Sequence, residues 1–179
     1  MKHFIITSLL ICITLLISCA NPHEKEIKEV EDMQAVLTGI KQSYESIKLE
    51  KVIYAKESYD KNMAQIQMYY NPDTVDLKIA NLLDFYKGVK KSAKGFEDDY
   101  KQIGDKIVFL DKQLNNLKAD LENNIDLSDS LSIFLENEHK NIELLQQNIG
   151  TILYNYDFVV NVHDTISSKV QSIIIKNVE

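Results

Sequence analysis

The residues best able to do chemistry lie in the C-terminal third. Glu136-Asn137-Glu138-His139 contains Glu-x-x-His, the spacing by which one helix gives two ligands to a carboxylate-bridged pair of metal ions. Such a centre needs a second copy on another helix. The sequence has none, so no metal ligand and no cofactor is assigned. His163 stands beside Asp164 in an apolar stripe, which suits a hydrogen-bonded core histidine better than a ligand. Phe96-Glu97-Asp98-Asp99 reads as a solvated helix face rather than paired catalytic acids, which need a cleft. Tyr44, Tyr86, Tyr100 and Tyr156 recur at inward positions and are expected to fill wide core layers, each hydroxyl reaching the rim. There is no Gly-rich phosphate loop, no Ser/His/Asp elbow and no His-Glu-x-x-His. An enzyme is not expected.

Composition narrows the classes further. The 179 residues carry 20 basic side chains, all of them Lys, against 27 acids, a net charge of −7. That acidity argues against a nucleic-acid groove, which needs clustered positive charge. Without Arg there is no planar fork for bidentate grip on phosphate or carboxylate. Five Gly and two Pro are few, which favours long uninterrupted elements over a turn-rich sandwich or barrel.

The two Cys are both near the start. Met1-Lys2-His3 is followed by an apolar run of 14 residues, Phe4 to Ile17, then Ser18-Cys19. The run is too short to span a bilayer, which takes about 20 residues, and fits a secretory signal over 1–18. Leu16-Ile17-Ser18-Cys19 resembles the lipobox of bacterial lipoprotein precursors. The resemblance implies cleavage before Cys19, acylation of that residue and attachment to a membrane of the cell envelope. In such proteins an Asp after the lipidated Cys signals inner-membrane retention; Ala20 occupies that position and favours the outer membrane where the cell has one. Two or more acyl chains anchor stably, whereas one alone is marginal. Processing would discard Cys12 and commit Cys19, leaving no thiol for a disulfide or a zinc site, and 19 Lys against 27 acids, a net charge of −8. Residues 19–23 read as a lipidated tether.

Beyond the tether the sequence repeats with a period of 3.5. Val75, Ile79, Leu82, Tyr86, Val89, Ala93, Phe96, Tyr100, Ile103, Ile107, Leu110, Leu114, Leu117 and Leu121 form one apolar seam, the mark of a helix coiling around partners. A second seam runs from Leu131 and Leu135 through Ile142, Leu145, Ile149, Ile152, Tyr156, Val159, His163, Ile166 and Val170 to Ile173, with one core slot falling on Glu138. The first third carries Val30, Met33, Leu37, Ile40, Tyr44 and Ile47. Its register then fails at Lys51 and resumes at Val52, Ala55, Tyr59, Met63 and Ile66, which predicts a stutter or kink within Ser46 to Lys51. Asn71-Pro72 ends one helix, Asp73 or Thr74 is expected to cap the next, and Ser128 or Asp129 the last. Short connections between long helices force neighbours to reverse direction. The expected fold is all-α: an elongated antiparallel three-helix bundle with coiled-coil packing, its helices over 24–70, 74–122 and 128–177; a split of the first helix at the stutter gives a four-helix variant.

Such a topology sets Asn71–Thr74 and the C-terminus at the end far from Cys19. Met68, Tyr69, Tyr70, Ile174 and Ile175 gather there, and Tyr and Met are enriched in interfaces, so this tip is the candidate partner-binding surface. In plan the chain is similar to cell-wall-binding three-helix lipoproteins. The expected function is a non-catalytic, lipid-anchored structural, scaffold or adaptor module that meets another envelope protein or the cell wall. A periplasmic holdase-type chaperone is the alternative, and a metal or small-ligand carrier stands third. The sequence does not fix the oligomeric state.

Overall fold

The structure, a computed structural model, describes residues 21–178 except 73, 75, 126, 128 and 129. The signal segment, Cys19, Asp73, Val75, Ser128 and Asp129 therefore lie outside the described residues. Among those described the chain is all-α, in five helices: α1 Glu24–Ser46, α2 Leu49–Tyr69, α3 Leu77–Ala93, α4 Phe96–Glu122 and α5 Leu131–Val178. Three helices were expected, the first with a stutter or kink; in the structure both the first and the second are broken.

The first break falls inside Ser46–Lys51. Ile47 leaves the helical region at φ −71°, ψ 126°, and its N–H donates to the Tyr44 carbonyl at 3.2 Å. An unbroken helix would carry Lys51 into the seam, where burying an unpaired ammonium costs several kcal/mol. The break skips that slot: Ile47 and Val52 are buried and Lys51 is exposed.

The second break was not anticipated. Gly95 has φ +75°, a conformation that favours Gly over any residue with a Cβ, and it separates α3 from α4. The seam passes through undisturbed, since Ala93 and Phe96 on either side are both buried. Lys90 and Lys91 occupy the last turn of α3, and Glu97, Asp98 and Asp99 the first turn of α4. Each set opposes the partial charge of the helix end it sits on.

Packing follows the breaks. Glu31 pairs with Lys118 at 2.7 Å, Gln34 with Asn115 at 2.9 Å, and Tyr44 stacks on Tyr100, so α1 and α4 run in opposite senses. His139 meets Glu29, His163 meets Tyr54 and Ser167 meets Asn62, so α5 runs in the same sense as α1 and α2. The 48 residues of α5, about 72 Å at 1.5 Å per residue, back both halves. The buried core is continuous from Val30 to Ile174 and takes in nearly every described seam residue.

The ends are tied individually. Asp76, not Thr74, caps α3, accepting from the Lys78 N–H at 2.7 Å, because the loop extends three residues further than the sequence suggested. Asn21 accepts from the His23 N–H and donates to the Leu121 and Glu122 carbonyls at 3.2 and 3.4 Å. The start of α1 is thereby fastened to the end of α4.

Candidate functional site

Glu136 and His139 border one groove between α1 and α5 but engage different partners. Glu136 accepts from Lys140 at 2.6 Å, and that hydrogen bond holds its carboxyl below the usual range. The His139 ring nitrogen Nε2 lies 2.8 Å from Glu29 on α1. Among the described residues no three His, Cys, Asp or Glu side chains converge as metal ligands. Glu138, in the polar core slot, is buried with its Oε2 unpartnered.

His163 is buried as expected, but the expected hydrogen bond is absent. Its Nδ1 has no partner, and the ring instead meets Tyr54 edge-on at 5.4 Å. Burial pushes the His163 pKa down, against a smaller upward pull from Asp164.

The tyrosines divide. Tyr44 and Tyr100 stack with centroids 4.2 Å apart, and burial, together with a hydrogen bond to Tyr100, pushes the Tyr44 hydroxyl up to about 12. Tyr86 departs from expectation: it is fully buried and its hydroxyl accepts from the Asn62 amide at 3.2 Å. The same amide donates to Ser167 at 3.2 Å. Asn62 thus ties α2, α3 and α5 together inside the core.

The far end of the molecule collects the C-termini of α2 and α5 and the N-terminus of α3. Met68 is 70 % exposed, Ile175 61 % and Tyr69 40 %, whereas Tyr70 is half-buried. Ile174 is 5 % exposed and belongs to the core, so it cannot offer a binding surface. The heptad assigned Ile173 to the seam; the end of α5 instead rolls by one residue and turns Ile174 inward. Leu77, at 72 %, adds an apolar side chain that the sequence reading missed. Its signal was available in the two-residue offset from Val75, which places it off the seam.

No family model, no curated protein and no solved structure matches the chain. Function must therefore be argued from this chain's own residues. Among the described residues no helix is long and apolar enough to cross a membrane. Among the surface features of the described residues are the apolar far end, exposed apolar side chains on the flanks such as Val108 and Phe109, and a groove lined by lysines between α2 and α3.

Proposed function

We propose that the protein is a lipid-anchored, non-catalytic scaffold or adaptor of the bacterial cell envelope, held to the membrane through acylated Cys19 and meeting another envelope component at its far end. In this reading α1 with α2, and α3 with α4, act as two broken rods. With α5 they make one elongated antiparallel three-helix bundle packed as a coiled coil. The lipobox-like Leu16-Ile17-Ser18-Cys19 supports the anchor and the envelope location, with Ala20 favouring the outer membrane.

The observation that carries the adaptor role is the exposure of Met68, Leu77 and Ile175 at one end. Large apolar side chains from three helix ends gather at the same extremity, and such a cluster is the kind of surface on which partners dock. A photo-crosslinking residue placed at Tyr69 in cells should capture an envelope component that the same residue at Lys112, on the exposed polar flank of α4, does not. Equal labelling from both positions would refute the tip as a contact surface. The anchor is tested separately, since Cys19→Ala should move the protein from the membrane to the soluble fraction.

A further inference from the structure

The groove between α2 and α3 encloses 520 Å³ and is walled by Lys56, Lys87, Lys90, Lys91 and Lys94, with Tyr59 beneath. Its charge is out of keeping with the rest of the chain. Helix α3 carries four Lys and one Asp, whereas α1 carries three Lys against six acids and α4 four against seven. Lys90 and Lys91 have a local reason to be there, because they oppose the negative end of α3. Lys56, Lys87 and Lys94 have none, and like charges three and four residues apart repel. Compensation is thin. Lys87 pairs with Asp84 at 3.4 Å and Lys90 with Asp60 at 3.8 Å; among the described residues Lys56, Lys91 and Lys94 make no ion pair.

Spacing indicates the occupant. Lys87, Lys90 or Lys91, and Lys94 follow one another at three and four residues along one face, a track of about 10 Å at 1.5 Å per residue. An acidic helix lying in the groove would present carboxylates at the same intervals, as the flanking positions of paired coiled-coil helices do. The lysine stems and the edge of Tyr59 offer such a helix an apolar floor. Flexible ammonium groups without an Arg fork recognise accumulated charge rather than the fixed geometry of a phosphate.

We propose that this groove is a docking site for an acidic amphipathic helix of a partner protein, which lies along α2 and α3 as an added helix. The site is separate from the apolar tip and stands whether or not Cys19 is acylated.

The test uses the full chain and a fluorescent three-heptad helical peptide with Leu at the a and d positions and Glu at e and g. The peptide should bind, with affinity falling steeply as salt rises. The triple variant Lys87→Glu, Lys91→Glu, Lys94→Glu should weaken binding roughly tenfold or more. The milder Lys→Gln triple should lie between, which guards against a folding artefact, and circular dichroism should show unchanged helicity in both. A peptide with Lys in place of Glu should not bind. The proposal is overturned if the charge-reversed variant keeps the wild-type affinity, or if inorganic pyrophosphate displaces the peptide through the same lysines, which would mark a simple anion site. It is equally overturned if sedimentation shows the chain pairing with itself through these lysines.

Discussion

The side-chain amide of Asn62 donates to the hydroxyl of Tyr86 at 3.2 Å, and both side chains are withdrawn from solvent. Removing one partner strands the other, and a buried unsatisfied group costs about 1–3 kcal/mol. Tyr86→Phe should therefore lower the stability to denaturant by an amount in that range. Adding Asn62→Leu and Ser167→Ala should recover much of the loss, because all three members of the polar cluster are then gone. A triple variant no more stable than Tyr86→Phe alone would show that the stranded polar groups do not carry the effect.

The five glycines should respond differently to Ala. A Cβ on Gly88 would lie 2.7 Å from the Phe158 ring, and one on Gly104 2.5 Å from the Tyr44 hydroxyl. Gly88→Ala should destabilise by about 1–3 kcal/mol through overpacking. Gly150→Ala meets nothing within 4 Å and should stabilise the helix by about 0.5–1 kcal/mol. Thermal unfolding midpoints of the two variants should move in opposite directions.

Gly95 is a separate case, because its neighbourhood is open but its backbone is left-handed. Gly95→Ala should cost about 1–2 kcal/mol from the conformation alone. Gly95→Asn should cost less, since Asn tolerates that region better. Equal stability of the Ala variant and the wild type, measured by chemical denaturation, would mean that α3 and α4 can join into one helix without loss.

His163 makes stability depend on acid. Its pKa is lowered by burial, so the folded state resists a proton that the unfolded chain accepts near the ordinary value of about 6.5. The stabilisation is complete above that value and is lost as pH falls below it. His163→Leu should flatten the decline of the unfolding midpoint over this window, and an unchanged slope would assign the decline to other groups.

The sequence was informative where burial alone decides structure. The Leu and Ile seam of α4 and the register slip at Lys51 are both consequences of keeping charge out of the core, and hydrophobic spacing reports that directly. Gly95 escaped because Ala93 and Phe96 stay in phase across it; the charge pattern, Lys90-Lys91 before and Glu97-Asp98-Asp99 after, was the visible sign of two helix ends. Asn62 escaped because the heptad nominated its neighbour Met63, and a polar side chain enters a core only when its partners, here Tyr86 and Ser167, arrive from distant sequence. At the tip, composition identified the region but not the rotation of α5 that separates Ile174 from Ile175. The lysine groove is legible only after α2 and α3 are set side by side, since Lys56 lies far from Lys87 to Lys94 in the chain.

Asn21 is bonded to the closing carbonyls of α4, and only one residue, Ala20, separates it from Cys19. Two extended residues span about 7 Å. With Cys19 acylated as proposed, the near end of the bundle would stay within about that distance of its anchor, and the protein would search the plane of the bilayer rather than a volume. A partner confined to the same membrane meets it by diffusion in that plane, which raises their effective concentration without any added contact.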